Sequence, residues 1–361
     1  MAQVATDFWQ PVRSHPGKIQ CDLCPRYCHL SEGQRGLCFV RGNVEGEIQL
    51  LSYGRSSGFC IDPIEKKPLN HFLPGTPVLS FGTAGCNLAC KFCQNWDISK
   101  SKQMDTLASA ASPDQLSLAA KQSGCRSIAY TYNDPIVFYE YALDVAQASR
   151  EQGIKNVAVT AGYICEEPRA HFFAAMDAVN IDLKSFSERF YRKICGGHLQ
   201  PVLDTIEYVA KETDVWLELT TLLIPDENDS DEELHQLCQW LREHLGTDVP
   251  LHFSGFHPDW KMKDKPRTPL GTLVRARDIA LQYGLKFVYT GNVHDQAGDT
   301  TFCSGCHQPL IVRDWYHLVA WRLTPEGTCP NCDTPLPGKF EAEPGGWGAK
   351  RQVIRPAEFG H

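Results

Sequence analysis

Residues 77–99 read PVLSFGTAGCNLACKFCQNWDIS, so a short apolar run leads directly into a loop with three cysteines. A run of this kind is typical of a buried strand. Cys86, Cys90 and Cys93 follow it at spacings of three and two residues. Structural zinc sites normally use four protein ligands, whereas three thiolates can hold three corners of a [4Fe–4S] cluster and leave one iron free. The loop therefore predicts an open iron–sulfur site. The alternatives are zinc with a remote fourth ligand, or three unrelated thiols.

Strand-like runs recur along the chain, with amphipathic segments and helix-capping residues between them. The further runs are RSIAYTY (126–132), NVAVTA (156–161), AVNIDLK (178–184), VWLELTTLLI (215–224), LHFSGF (251–256) and KFVYTG (286–291). Alternation of strands and helices builds a parallel sheet, open or closed into a barrel. We therefore predict an α/β fold with a partial or near-complete TIM-like (β/α) barrel over residues 76–298. An N-terminal Cys-rich segment (1–75) precedes it, and a C-terminal zinc-ribbon-like module with a loose tail (299–361) follows it.

Polar residues follow the predicted strands, at the point where each strand ends. In α/β barrels the catalytic groups lie on the loops at the carboxyl ends of the strands. The polar groups at these ends include Asn133, Asp134, Thr160, Asp182, Lys184 and His252. Their recurrence in series predicts a site that surrounds one mouth of the barrel.

The composition limits the class of protein. The chain has 361 residues, is 42% hydrophobic and carries a formal net charge of -8, which disfavours a broad nucleic-acid surface. Its first residues lack the apolar core of a signal peptide, and no stretch approaches a membrane-spanning helix. Clustered cysteines in such a chain indicate metal ligands in a reducing compartment. We expect a soluble, cytoplasmic protein that does not bind membranes.

The cysteine loop, with the aromatic Phe92 before its last cysteine, resembles the signature of the radical S-adenosylmethionine (SAM) enzymes. The wider resemblance is to relatives of the pyruvate formate-lyase activating enzyme, and within them to the radical SAM member of the AmmeMemoRadiSam system. The motifs that carry it are CDLCPRYCHLSEGQRGLCFVR, TYNDP, TAGY, IDLKSF, HFSGFHP and YTGNV, followed by a C-terminal cysteine ribbon.

This resemblance implies a reaction. The free iron binds the amino and carboxylate groups of SAM, and an electron from the reduced cluster cleaves SAM to methionine and a 5′-deoxyadenosyl radical. The radical abstracts hydrogen from a substrate, which is a protein glycine or a small molecule. This is oxidoreductase or lyase-type chemistry like that of the glycyl-radical activating enzymes. The implied partners are an electron donor such as flavodoxin or ferredoxin, and Memo-type and AMME-type proteins.

The resemblance also implies which residues contact the cofactor. They are Phe92, Asn133, Asp134, Thr160, Gly162, Asp182, Lys184 and His252. Lys184 would meet the SAM carboxylate, and Asp182 would hold a monovalent cation or the ribose-side network. Thr160 and Gly162 resemble the ribose-contact turn, and His252 resembles the residue near the adenine. A plain structural ion pair is the alternative for Asp182 and Lys184, and a core position is the alternative for His252.

The chain departs from the family at the end of the second strand. The usual Gly-Gly-Glu is replaced there by Tyr132-Asn133-Asp134. The backbone and the Asn and Asp side chains would then contact the SAM amino group.

Two further cysteine groups flank the barrel. Cys21, Cys24, Cys28 and Cys38 supply four ligands, which predicts a closed site for zinc or an auxiliary iron–sulfur cluster. Zinc is favoured there because CxxC knuckles commonly bind it. Cys303, Cys306, Cys329 and Cys332 form two CxxC pairs and predict a zinc ribbon. The competing functional hypothesis is a non-catalytic zinc-ribbon adaptor that binds protein or nucleic acid.

Overall fold

The computed structural model describes residues 3–102, 104 and 107–359. Short strands fill the first part of the chain: β1 (Val4–Ala5), β2 (Trp9–Pro11), β3 (Ile19–Cys21), β4 (Cys28–Leu30), β5 (Arg41–Val44), β6 (Glu47–Leu50), β7 (Arg55–Ser56) and β8 (Phe59–Pro63). Strands β2, β3 and β4 form one small antiparallel sheet, and β1, β6 and β5 form another. The Cys-rich segment is therefore folded around hairpins rather than irregular.

Strands and helices then alternate. The elements in chain order are β9 (Pro77–Phe81), α1 (Trp96–Ser99), β10 (Ser109–Ala110), α2 (Pro113–Gln122), β11 (Ser127–Tyr130), α3 (Tyr139–Glu151), β12 (Lys155–Thr160), α4 (Glu166–Ala174), β13 (Ala178–Asp182), α5 (Glu188–Phe190), α6 (Gln200–Glu212), β14 (Trp216–Leu223), α7 (Asp231–Leu245), β15 (Leu251–Gly255), α8 (Leu270–Gln282), β16 (Val288–Gly291) and α9 (Gln296–Asp299). Strands β17 (Thr301–Phe302), β18 (Pro309–Asp314), β19 (His317–Trp321) and β20 (Gln352–Ile354) complete the chain. All seven predicted strands of the repeating region are confirmed, with ends that differ by at most two residues.

A nine-stranded sheet forms the centre of the protein, in the order β16-β15-β14-β13-β12-β11-β9-β8-β20. Strands β9 and β11 to β16 run parallel and follow chain order. At one edge, β8 and β20 add antiparallel strands. Within the described part of the chain, hydrogen bonds do not join β16 to β20. The predicted α/β class with a mainly parallel sheet is confirmed, and closure into a barrel stays a prediction.

Helix caps fix the loops that follow the strands. Ser112 and Gln115 form a complete capping box at the start of α2. The Asp134 carboxylate accepts from the Ile136 amide and begins the 3-10 turn that leads into α3. The Ser230 hydroxyl accepts from the Glu233 amide at the start of α7. Because helices after parallel strands begin at the edge where those strands end, these caps hold the loops of one edge.

The prediction of a loose C-terminal tail is wrong. Strand β20 pairs with β8, and the backbones of Lys339 and Phe72 form an isolated β-bridge. Leu336 and Ile354 are buried. Apolar side chains in an otherwise Pro/Gly-rich tail supply the burial that holds it against the sheet. These contacts join the first and the last of the three predicted segments, and the segment boundaries at residues 75 and 298 stay a prediction.

None of the described helices combines the length and the apolar character that a membrane span requires.

Candidate active site

A cleft lies at the edge of the parallel sheet where the strands end. Its empty volume is about 1160 Å³, including the space at its open mouth. The predicted residues that line it are Cys86, Cys90, Phe92, Cys93, Asn133, Asp134, Thr160, Asp182 and Lys184. Residues that follow β9, β11, β12 and β13 therefore meet in one place, as the sequence predicted.

The loop before the cysteines is held by Asn133. Its side-chain amide donates to the Gly85 carbonyl at 2.7 Å and accepts from the Thr83 amide at 3.0 Å. Gly82 is needed for this approach, because a Cβ there would lie 2.3 Å from the Thr131 carbonyl oxygen. Both ends of the Asn133 amide are thus occupied by the loop. Its role is to position the cysteine loop, and this use was not foreseen from the sequence.

The three thiols lie in different electrostatic surroundings. Burial raises the pKa of the Cys86 thiol to about 11, although the Lys100 ammonium opposes it. Burial likewise raises the pKa of Cys93, whose sulfur lies 3.0 Å from the Ser99 hydroxyl. The Cys195 thiol donates to Cys90 and lowers the pKa of Cys90 to about 6. Metal ligands must be thiolates, so metal binding here releases protons from at least Cys86 and Cys93.

A charged pair lines the same cleft as the thiols. The Lys184 Nζ is 2.9 Å from Asp182 Oδ2, and the Lys184 side chain is 14% exposed while that of Asp182 is 35% exposed. Burial works against the charged form of Lys184, but Asp182 outweighs it and holds the lysine pKa well above its ordinary value. Lys184 Nζ also lies 5.9 Å from the centre of the Phe92 ring. The cleft therefore presents a cation and a carboxylate side by side, which complements a zwitterionic amino-acid group.

Asp134 ties two strand ends together. Its carboxylate accepts from the Ala161 amide at 3.0 Å and from the Thr160 hydroxyl at 3.2 Å. It also accepts from the Ile136 amide at 3.1 Å. Burial raises the pKa of Asp134 to about 6, against the opposing effect of these hydrogen bonds. This carboxylate fixes the ends of β11 and β12 relative to each other.

The pKa of Asp134 predicts a pH dependence. Since its folded-state pKa is raised from 3.8 to about 6, the folded protein binds more protons than the unfolded chain between these values. The free energy of unfolding contributed by this group should therefore fall as the pH rises through that window. Asp134→Asn should remove this decline. Urea unfolding of both proteins at several pH values measures it, and parallel pH profiles would contradict the prediction.

Two predicted cofactor residues do not line the cleft. Gly162 lies just behind it with a positive φ of 65°, and its amide donates to the Thr160 hydroxyl at 3.1 Å. His252 Nε2 is 2.7 Å from Glu218 Oε2, and its ring faces an adjoining smaller cavity. Asn292 and Ser254 line both this cavity and the cleft. The adenine contact of His252 stays a prediction, and its present partner is a buried carboxylate.

The cleft contains two lysines that sequence reasoning missed, Lys66 and Lys100. Lys66 comes from the N-terminal segment, so no strand-end rule could have found it. Lys100 donates to the Leu88 carbonyl at 2.8 Å, within the cysteine loop. The strand-end residues Thr131, Thr220, Ser254 and Asn292 also line the cleft, as their positions after or within the predicted strands indicate.

Comparison with known proteins bears on this arrangement. The sequence profile of the radical SAM superfamily matches residues 81–238. An uncharacterized protein of Methanocaldococcus jannaschii is 43% identical over 296 residues, which cover 82% of this chain and 88% of that protein. The chain belongs to the radical SAM superfamily.

More distant radical SAM proteins share less. A second Methanocaldococcus jannaschii protein, provisionally named a glycyl-radical enzyme activating enzyme, is 22% identical over 56% of this chain and 76% of its own length. A GTP 3′,8-cyclase of Limosilactobacillus fermentum is 24% identical over 65% of this chain and 75% of its own length. Among solved structures, a radical SAM methyltransferase from Sphaerobacter thermophilus has a TM-score of 0.48 and 14% identity, over 80% of this chain and 75% of that one.

Radical SAM membership implies a [4Fe–4S] cluster and SAM, and the cleft fits both. Three thiols converge on it, and they are spread too widely for all three sulfurs to lie within 4.8 Å of one another. That spacing suits a cubane better than a single ion. The Thr220 hydroxyl is buried, lines the cleft and has no hydrogen-bond partner. Such an orphaned group is expected where a ligand supplies the missing partner.

The C-terminal cysteines form a compact group on a three-stranded antiparallel sheet of β17, β18 and β19. All four sulfurs lie within 4.8 Å of one another, with Cys303 and Cys332 3.5 Å apart and Cys306 and Cys329 3.6 Å apart. The group could therefore hold one metal ion. The buried Arg313 guanidinium attaches this module to the main sheet by donating to the Asn70 carbonyl at 2.7 Å.

Proposed function

We propose that this protein is a radical SAM enzyme that cleaves SAM reductively and abstracts hydrogen from a substrate. One observation supports this most directly. Three thiols and the Asp182–Lys184 pair face a single cleft at the carboxyl ends of the strands. When bound, the cluster supplies one electron and an open iron for SAM. The chain supplies the ligands, the charges and the enclosure.

Each side chain has a role in this proposal. Cys86, Cys90 and Cys93 would hold the cluster, and the Phe92 ring packs against Phe190. Lys184 binds the SAM carboxylate, and Asp182 orients that lysine or accepts from the ribose side. The remaining cofactor contacts inferred above come from Thr160, Gly162 and His252, with a monovalent cation near Asp182.

The substrate and the partners belong to the same proposal. The motifs shared with the AmmeMemoRadiSam member favour work beside Memo-type and AMME-type proteins in the cytoplasm. The relative named for glycyl-radical enzymes supports hydrogen abstraction from a protein glycine, and a small molecule is the other class. The reductant would be flavodoxin or ferredoxin. No comparison supports the non-catalytic adaptor.

The test is anaerobic. The protein is reconstituted with iron and sulfide, reduced with dithionite and mixed with SAM. We expect 5′-deoxyadenosine and methionine in equal amounts, with production that depends on the three cysteines. A protein that holds zinc as its sole metal and leaves SAM intact would overturn the proposal and favour the adaptor.

We further propose that the compact C-terminal group holds zinc. Tetrahedral zinc with Zn–S bonds of about 2.3 Å places thiolates roughly 3.8 Å apart, close to the 3.5 and 3.6 Å between these sulfurs. Cys329→Ser should lower the zinc content by about one ion per chain and leave the iron content unchanged. Elemental analysis of the purified protein measures both metals. Equal loss of iron would show that this group holds part of a cluster instead.

A further inference from the structure

The N-terminal thiol group consists of Cys21, Cys24, Cys28 and Cys38. All four line one cavity, which Asn87 of the cysteine loop also lines. The cavity is walled mainly by apolar side chains, which include Leu23, Leu30, Ile136 and Val137. The sequence left this site open between zinc and an iron–sulfur cluster, with zinc favoured. The spacing of the sulfurs now separates these two alternatives.

The two four-cysteine groups of this chain differ in compactness. The C-terminal sulfurs all lie within 4.8 Å of one another. In the N-terminal thiol group, whose residues are all described, no three sulfurs meet that limit. One tetrahedral zinc ion requires sulfur separations of roughly 3.8 Å. A [4Fe–4S] cubane binds each thiolate at a different iron, so its ligands stand further apart.

The cysteine loop of the same chain provides a comparison for this sulfur spacing. Cys86, Cys90 and Cys93, for which the superfamily implies a cubane, are also too widely spaced to meet the 4.8 Å limit. The N-terminal thiol group therefore resembles the cluster loop and differs from the compact ribbon. Gly36 leaves the space between two of its sulfurs open, since a Cβ there would contact Cys28 Sγ at 3.6 Å and Cys38 Sγ at 3.7 Å.

The N-terminal thiol group and the cysteine loop lie next to each other in the fold. Asn87, directly after Cys86, lines the N-terminal cavity. Gly85 has a φ of 78°, and a Cβ there would lie 1.7 Å from the Cys38 carbonyl oxygen, so the two loops are in backbone contact. The Arg26 guanidinium fixes this contact by donating to the Asn87 carbonyl at 2.7 Å. Residues 85–87 therefore contact both sites.

We propose that Cys21, Cys24, Cys28 and Cys38 hold a second [4Fe–4S] cluster that relays electrons to the first. An external carrier such as reduced flavodoxin loses one electron, the N-terminal cluster gains it, and the cluster at Cys86, Cys90 and Cys93 receives it in turn. No bond is made or broken in this step. The electron relay rests on the proposed function, whereas the assignment of a [4Fe–4S] cluster to the N-terminal thiol group does not.

The identity of the group bound by the N-terminal thiol group is tested in a variant that lacks the cluster of the cysteine loop. Cys86→Ala, Cys90→Ala and Cys93→Ala are combined, and the protein is reconstituted anaerobically with iron and sulfide. We expect about four iron and four sulfide per chain, with the electron paramagnetic resonance of a reduced cubane after dithionite. Iron-free protein with about two zinc ions per chain, one for each four-cysteine group, would overturn the proposal.

Further variants locate the cluster. Adding Cys24→Ser and Cys38→Ser to the triple variant should remove the remaining iron, whereas adding Cys238→Ala, a buried cysteine in α7, should not. Iron that survives the two serine changes would overturn the assignment. An unchanged far-ultraviolet circular dichroism spectrum shows that the variant is folded. If it is not, the wild-type iron content still decides, because two clusters require about eight iron atoms and one requires about four.

The relay is tested separately, in protein that keeps the first cluster. Cys24→Ser with Cys38→Ser should lose SAM cleavage driven by reduced flavodoxin and keep cleavage driven by dithionite, which reaches the first cluster directly. Equal cleavage with flavodoxin in variant and wild type would overturn the relay. Absence of cleavage in the wild type with either reductant would count against the proposed function and leave the iron count of the triple variant standing.

Discussion

Cys90→Ala is expected to abolish SAM cleavage and to lower the iron content by about four atoms per chain. The residue lies in the middle of the cysteine loop, is 7% exposed and lines the cleft. A cluster that already relies on three thiolates cannot be held in place by two. The measurements are 5′-deoxyadenosine production and elemental analysis of anaerobically reconstituted protein.

The matched control is Cys125→Ala. Cys125 is buried at 2% exposure, precedes β11 and does not line the cleft. The control should keep both its iron and its cleavage activity. Full cleavage in Cys90→Ala would refute the assignment of the cluster to this loop, and loss of cleavage in both variants would show that the effect is not specific to the loop.

Glu218→Leu is expected to lower the free energy of unfolding by about 3–5 kcal/mol. Glu218 lies on β14, is fully buried and accepts four hydrogen bonds. The donors are the Asn70 amide at 2.9 Å, the His71 amide at 2.7 Å, the Trp216 indole at 3.0 Å and the His252 ring at 2.7 Å. Leucine fills the volume but leaves these buried donors without an acceptor, which is the costly outcome.

Urea unfolding under anaerobic conditions measures this effect. Glu232→Leu is the matched control, because Glu232 is exposed on the first turn of α7. A surface change of this kind should alter the free energy of unfolding by no more than about 0.5 kcal/mol. Equal effects of the two substitutions would show that the Glu218 network does not stabilise the fold.

The parallel sheet and the three cysteines of the site could be predicted from the sequence, because each feature is marked by residues that are close together in the chain. Each strand is a short apolar run, and a parallel sheet places polar residues after each strand on one edge. Cys86, Cys90 and Cys93 are close in sequence, so their spacing alone indicates the chemistry. The side chains that meet them come from neighbouring strand ends, which the strand order determines.

The remaining features depend on contacts between distant parts of the chain. Lys66 reaches the cleft from the N-terminal segment, and Glu218 accepts from Asn70 and His71. Nothing in the residues around Lys66 or Glu218 indicates these partners. Asn133 could be placed near the cofactor, but its use in holding Gly85 requires the tertiary path of the loop. The tail was misjudged because proline and glycine content predicts irregular backbone but not whether that backbone packs.

The pairing of β20 with β8 affects how the chain is made. All five residues of β8 are buried in the folded protein. The outer edge of β8 pairs with β20, where Ile61 lies opposite Gln352. During translation this buried strand therefore has an open edge until residues 352–354 have left the ribosome. Open apolar edges recruit strands from other chains. Messages that stop before residue 350 would yield aggregation-prone products, and chaperones that shield strand edges would matter most before β20 has paired with β8.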